Sequence, residues 1–445
     1  MQPIETLLNK AKALREQEQG AVALIFAFAL IPLLGFAGLA IDYGLGVRDA
    51  AMLATAVDSA ALRAVSPTSQ AYQLAKAASG DGVVTVDATP YIGLMQANIG
   101  ANSGMTLQGA PTVTIRRAGL NVTAQLTATA SIKTTLMSLF GYPTITVTKT
   151  STATTNLPTY MDFHLLLDNT PSMGVGATQA DINKLISLTT SIRNNPNEAQ
   201  CGFACHVANE DASVDYYTIA RKNNVTLRID LLRQATQNLM DTANNQQISS
   251  NVSGLYRFAV YDFGASANAA QTSVIANIVP LTSNTGSVKT QVGSLDLMSV
   301  DYQGQYNDQD TSFDTVLPAI GAVIPTPGDG SSTTSRQQIL LFVTDGLADE
   351  SLGGNRTIKP IDTALCTAIK NRNIQIAVLY TTYYPLPTNA FYMANVDPIV
   401  NQIGPALQQC ASSPSFYQAV ATGGDVSGAL TALFNNVIAK SRLTQ

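Results

Sequence analysis

Tryptophan is absent from this 445-residue chain, and histidine occurs only twice. Acid–base catalysis through histidine therefore has few candidates. Charge is scarce as well: Asp, Glu, Lys and Arg together make up 12% of the residues. There is no long basic run and the net charge is −5, which argues against nucleic acid as a partner. Ser, Thr, Asn and Gln supply the missing polarity, a balance typical of exported proteins. No internal repeat and no clear low-complexity tract interrupts the chain. Its length suffices for two or three domains.

What the chain does have is one long apolar run. Residues 20–40 carry no charge and are rich in Ala, Leu, Ile and Phe. A helix of about 20 such residues spans a bilayer. Pro32 lies inside the run and is tolerable there with a kink. Lys10, Lys12 and Arg15 precede it, Asp42 follows it, and Arg48 is the first cation beyond. The positive-inside bias places residues 1–19 in the cytoplasm and everything past about residue 42 outside. A cleaved signal peptide is the alternative, with 38–40 as its small-residue site; its apolar core is usually shorter, about 7–15 residues. All four cysteines, Cys201, Cys205, Cys366 and Cys410, fall on the outer side. An even count in an oxidising compartment reads as two disulfides. A short-range pair, Cys201 with Cys205, would brace one loop, and Cys366 on a helix would pair with Cys410 in a loop. Cys201, Cys205 and His206 supply too few ligands for zinc.

The pattern divides the rest. The helix of the span continues as an Ala-rich stalk to residue 65. Residues 66–158 form a small α+β unit. Leu120, Val122, Ala124, Leu126 and Ala128 alternate with polar residues there, marking a half-buried strand. Residues 116–119 form a hairpin connection before it, and the Thr-rich stretch 151–158 reads as a linker. From 159 to 445, strands (162–167, 256–263, 338–344, 374–381) alternate with helices (178–193, 226–243, 315–323, 361–370, 426–441). That alternation predicts a doubly wound α/β domain, interrupted by an insertion at 194–225.

Chemistry concentrates where two apolar strands end in acids. Met161 to Leu167 runs into Asp168, then Thr170 and Ser172; Ile339 to Thr344 runs into Asp345. Neighbouring parallel strands ending this way place an oxygen-rich ligand set at the carboxyl edge of the sheet, where open α/β sheets bind ligands. Hard divalent cations favour such oxygens, with Mg²⁺ foremost and Ca²⁺ or Mn²⁺ as alternatives. The competing structural reading is a capped strand end, with Asp168 and Ser172 bonding the following helix N-terminus. Gly174-Val175-Gly176 is too short for a phosphate-binding signature. Asp349 and Glu350 read as a solvated pair or as added negative potential.

This arrangement resembles the von Willebrand factor A family, whose metal-ion-dependent adhesion site begins Asp-x-Ser-x-Ser. Asp168, Thr170 and Ser172 match that loop, with Thr170 where serine is usual. Asp345 matches the later aspartate, and Thr311, with Ser312 as rival, the intervening threonine. The N-terminal part resembles TadE/TadG-type pilus assembly proteins in Gln19–Ala23, Gly38–Gly44 and Ala56–Leu62. Segments 201–206, 408–413 and 430–443 also resemble the TadG-like members. Those members join such an anchor to a C-terminal von Willebrand A domain.

The resemblance implies a non-enzymatic, membrane-anchored protein of the tight-adherence (Flp) pilus. The family implies partners among minor pilins, TadE- and TadF-like proteins or the pilus platform. An acidic side chain of a partner would complete the metal site. The protein would sit in the inner membrane or ride at a pilus tip. Gly20 is followed at the fifth position by Ile25, not glutamate, so no prepilin cleavage is expected. Two other readings remain: a von Willebrand A chaperone of another envelope complex, and a metal-dependent phosphatase. The second lacks the carboxylate that an Asp-x-Asp centre needs at Thr170.

Overall fold

The computed structural model describes residues 18–78, 80–100, 104–192, 201–204, 206–250, 252–264, 274–302, 310–352, 355–387 and 389–441. The chain divides into two units, Met1–Leu157 and Pro158–Gln445.

The first unit is built on α1, Glu18–Ala64, a single 47-residue helix containing Pro32. At 1.5 Å per residue it is about 70 Å long. Its first half is long and apolar enough to cross a membrane, and side chains such as Phe26, Phe28 and Phe36 are exposed there. Its second half, the Ala-rich stalk, continues the helix to Ala64 and packs against the sheet of this unit. Leu53, Ala56, Val57, Ala60, Ala61 and Ala64 repeat at helical spacing and are all completely buried. They share one core with Val122, Ala124, Leu126, Ala128 and Ala130 of an antiparallel sheet. Alanine leaves the helix axis free to lie close to that sheet.

The sheet contains β1 (Gly82–Val84), β2 (Met105–Leu107), β3 (Thr112–Ala118), β4 (Asn121–Lys133) and β5 (Thr144–Asn156). β4 is central: β3 and β2 pair along one edge and β5 along the other, all antiparallel. The hairpin connection is tighter than 116–119. β3 runs on to Ala118, and Gly119 turns with φ +57°. Arg117, buried, donates to the carbonyls of Ala75 and Ala78 at the end of α2 (Gln70–Ala77). The expected linker at 151–158 is mostly strand, since β5 extends to Asn156. Its threonines read as a linker by composition, but β-branched side chains suit a sheet. Thr150 and Thr148 hydrogen-bond across to Thr127 and Thr129 at 2.9 Å. Between β1 and β2 lies α3 (Thr89–Ile99).

The second unit has a six-stranded sheet from β6 (Met161–Leu167), β7 (Tyr256–Asp262), β8 (Ala276–Thr282), β9 (Gln337–Thr344), β12 (Gln375–Thr381) and β13 (Tyr417–Val420). The order is β13-β12-β9-β6-β7-β8, parallel throughout except for β8. A separate hairpin pairs β10 (Leu347–Leu352) with β11 (Asn355–Pro360). The helices are α4 (Gln179–Thr189), α5 (Tyr216–Lys222), α6 (Arg228–Ser250), α7 (Thr285–Gln291), α8 (Phe313–Val323), α9 (Thr363–Lys370), α10 (Val400–Cys410) and α11 (Val426–Ser441). α6 packs with α7 and α11; α9 packs with α8 and α10. Every residue of β6 and β9 is buried, as a parallel sheet covered on both faces requires. Phe163 meets Phe434 of α11 at 5.0 Å, whereas Phe342 meets Phe313 of α8 at 5.8 Å. The unit is a doubly wound, Rossmann-like α/β fold. Its chain order reverses between β6 and β9, which sets the position of the candidate site.

The disulfide of Cys366 with Cys410 forms, closing 44 residues of chain. Cys410 ends α10 rather than lying in a loop, so the bridge joins two helices. Reduction is expected to cost roughly 2–4 kcal/mol, read as a lower urea midpoint for the full chain in detergent with reductant than without. The pairing of Cys201 with Cys205 lies outside the described residues, because Cys205 does.

Candidate metal centre

β6 delivers Asp168 one residue past its carboxyl end, where the Asp168 N–H still bonds the Val343 carbonyl of β9 at 3.0 Å. The loop then folds back on itself. Asp168 Oδ1 accepts from the Thr170 N–H (3.0 Å) and the Thr170 hydroxyl (2.7 Å). The Thr170 and Ser172 hydroxyls are 3.1 Å apart. Pro171 opens a 3₁₀ turn over Pro171–Gly174, with Thr170 as its N-cap. Gly176 is a packing residue: a Cβ there would come within 2.5 Å of the Ile182 amide in α4. That contact, rather than phosphate binding, explains the glycine. Asn169 pins the loop from outside, accepting from the Gly264 N–H at 2.6 Å.

β9 delivers the second acid. Asp345 is followed by Gly346 at φ +77°, a turn that glycine makes at least cost. Asp345 Oδ1 accepts from the Leu347 N–H at 3.3 Å. Its Oδ2 is buried without a hydrogen-bond partner. Ser172 and Tyr383 face this carboxylate, but the Tyr383 hydroxyl makes no bond of normal geometry either.

Both acids are completely buried, and their electrostatics show it. Burial, then the charge of Asp345, pushes Asp168 up to about 7, against the Thr344 and Thr170 bonds. Burial likewise raises Asp345, opposed by Ser172 and by the Arg228 charge. Arg228, the first residue of α6, is itself buried and donates to the Thr382 carbonyl (2.6 Å) and the Thr422 hydroxyl (3.1 Å). Two buried carboxylates and one buried guanidinium leave negative charge uncompensated, and such charge is costly unless paired. An orphaned carboxylate oxygen beside the Thr170 and Ser172 hydroxyls fits a hard divalent cation. Among the described residues no group of three His, Cys, Asp or Glu is suited to a metal. The centre thus rests on two acids and hydroxyls alone.

Thr311 is held differently. Its N–H and C=O pair with Asp349 of β10 at 3.0 and 2.9 Å, which ties it to the hairpin that leaves Asp345. No hydrogen bond joins it to Asp168 or Asp345. Ser312 is committed elsewhere: its hydroxyl donates to buried Glu350 at 2.8 Å. Glu350 and Asp349 are not a solvated pair, since Lys359 and Arg356 engage them at 2.7 and 2.6 Å. Sequence reasoning missed three neighbours. Thr344 donates to Asp168 Oδ2 at 2.6 Å, and its signal was a lone hydroxyl ending an apolar strand. Arg228 and Tyr383 carried no local signal.

Residues 20–71 match the family model described as "Putative Flp pilus-assembly TadE/G-like". This segment is TadE/G-like. The match covers α1 and the start of α2, and ends well before the candidate metal centre. No curated protein matches the chain. Among solved structures, the pilus adhesin SpaC of Lactobacillus rhamnosus GG superposes with TM-score 0.35 at 10% identity, covering 77% of this chain and 35% of that one. The von Willebrand domain of the type V pili tip protein Mfa5 of Porphyromonas gingivalis gives TM-score 0.33 at 9% identity, covering 64% and 96%. Proximal thread matrix protein 1 of the mussel byssus, with a zinc-occupied MIDAS motif, gives 0.34 at 11%, covering 63% and 48%. The chain thus spans about a third to a half of the first of these relatives. At such loose superposition the fold rests on the strand order given above.

Proposed function

We propose that this protein is a membrane-anchored, non-enzymatic assembly or adhesion component of a Tad (Flp) pilus. Its second unit docks a partner through a divalent cation held by Asp168, Thr170, Ser172, Thr311 and Asp345. The TadE/G-like segment supports the pilus assignment, and the orphaned Oδ2 of Asp345 beside Asp168 carries the metal reading. With Arg228 close by, the cation leaves the centre net positive. Mg²⁺ bound by few anionic ligands keeps waters and exchanges one for an outside carboxylate. The ligand is therefore an Asp or Glu of a partner. Candidate partners are minor pilins, TadE- and TadF-like proteins or the pilus platform. α1 crosses the inner membrane once, with its N-terminus cytoplasmic and the rest of the chain periplasmic or, at a pilus tip, outside the cell.

Co-purification from membranes tests this reading. The tagged full chain is expected to bring down pilins or platform proteins in Mg²⁺, and to lose them in chelator or with Asp168→Asn. Recovery of a different envelope complex would transfer the chain to the chaperone reading. Recovery of the same pilus proteins regardless of metal would leave the cation without a role.

A further inference from the structure

The β4–β5 hairpin ends in a tip, residues 134–143, that is unusual for a soluble turn. No residue from 134 to 148 is charged, while Lys133 and Lys149 bracket the stretch. Leu139 is 80% exposed and Tyr142 66%. The tip does not wave freely. It lies along one stripe of α1 formed by Gly35, Gly38, Asp42 and Gly46. Ile145 approaches the Gly46 position, Leu136 covers Gly38, and the Phe140 ring covers Gly35. A Cβ at Gly38 would meet Leu136 Cβ at 2.7 Å, so the helix must be bare there.

Asp42 fastens this contact. Its buried carboxylate accepts from the N–H groups of Thr135 (2.8 Å), Leu136 (2.9 Å) and Met137 (2.7 Å). These amides open the 3₁₀ turn Met137–Phe140. The tip's remaining backbone is also largely satisfied: Thr134 bonds Pro143, Leu139 bonds Leu136, Gly141 bonds Ser138 and Tyr142 bonds Met137. Irregular backbone is tolerated at membrane depth only where protein covers it; packing against the α1 stripe and the Asp42 bonds give the tip that cover.

Gly35 and Gly38 belong to the charge-free run that ends just before Asp42. From Asp42 to Gly35 the helix descends about 10 Å. The hydrocarbon core is about 30 Å thick, so Phe140 lies well inside one leaflet. Tyr142 presents the amphipathic ring suited to the headgroup level, and the bracketing lysines have stems long enough to reach it.

We propose that the β4–β5 tip is a second membrane contact. Leu139, Phe140 and Tyr142 enter the phospholipid leaflet on the domain side of α1, and Asp42 locks them there. The rigid link fixes the tilt of the first unit on the membrane instead of leaving it on a swivel. This inference rests on the reading of α1 as a membrane span.

The chain's lack of tryptophan permits a clean test. Full-length Phe28→Trp, Phe140→Trp and Leu139→Trp variants are reconstituted singly into phosphatidylcholine vesicles with acyl-chain-brominated lipid. All three are expected to show blue-shifted emission and comparable quenching by bromine. Adding Asp42→Ala to Phe140→Trp or Leu139→Trp is expected to remove most of the tip quenching and to leave Phe28→Trp unaffected. Quenching of Phe28→Trp without either tip reporter would overturn the tip contact and leave the span intact. Blue-shifted but unquenched tip reporters would also overturn it, assigning the patch to protein. No quenching of Phe28→Trp would remove the span itself, and the tip with it.

Discussion

Asp168→Asn is expected to erase every response of the protein to divalent ions while leaving the metal-free fold at least as stable at neutral pH. Wild-type protein should gain about 2.7 kcal/mol from Mg²⁺ at a hundred times its dissociation constant; the variant should gain nothing. The reason is the like-charge pair. In the metal-free protein, burial and Asp345 hold Asp168 at about 7, far above its ordinary 3.8. A raised carboxyl stabilises the fold below its unfolded value, and that stability is lost as pH climbs through the folded value. Metal-free wild type should therefore weaken between about pH 4 and 7, and Mg²⁺ should help more the higher the pH, since ligands must deprotonate. Asparagine removes the repulsion and keeps an acceptor for the Thr170 N–H. If Asp168 served only to cap the strand end, wild type and variant would show the same indifference to Mg²⁺. Thermal unfolding across pH, with chelator or Mg²⁺, separates the two.

The opposite end of the same strand carries the other large effect. Asp162 is the second residue of β6, about 20 Å from Asp168 by strand rise, and is completely buried. It accepts two bonds from Arg257 (2.7 and 2.6 Å), one from Arg336 (2.6 Å) and one from Gln338 (3.1 Å). Burial pushes its pKa up, but the Arg257 bond, the Arg336 charge and the Gln338 bond outweigh that and hold it below 3.8. Arg336 also donates to the carbonyls of Met161, Gly254 and Leu255, clamping the starts of β6 and β7. Asp162→Ala leaves that guanidinium buried and unpaired, which should cost about 3–5 kcal/mol. Arg257 is 37% exposed, so its loss should cost less. A depressed carboxyl contributes stability above its unfolded value and loses it as pH falls through the folded one. The wild type's advantage over Asp162→Ala in urea unfolding should therefore shrink below about pH 4. Mg²⁺ affinity measured on the folded variant should be unchanged, because the two acids sit at opposite ends of β6.

The contrast between these two acids explains what sequence could reveal. Strands β6 and β9 were legible because burial on both faces writes a continuous apolar run, and Asp168 and Asp345 because each breaks such a run at its end. Strand β8 was not: it contains Pro280 and is largely exposed, as an edge strand can be. The β10–β11 hairpin hid behind charge, since Asp349 and Arg356 pair only across the turn. Helix α10 carries Gly404 and Pro405 within it, which locally argue against a helix. The second half of β5, from Ser151 on, passed for a linker because its threonines declare themselves only beside β4. At the centre itself, Arg228 and Tyr383 come from distant elements, and no local pattern marks them. What the stalk packs against was hidden for a related reason: alanines at helical spacing suit either a solvated helix or a tightly packed one.

The central claim is that the carboxyl edge of the β6–β9 sheet holds one divalent cation. Calorimetric titration of Mg²⁺ into the full chain in detergent, after chelator treatment, tests it most directly. One ion should bind wild type, and none should bind Asp345→Asn, which keeps the strand but loses the orphaned carboxylate. A wild-type protein that binds no ion, or an Asp345→Asn protein that binds it as well as wild type, would contradict the account.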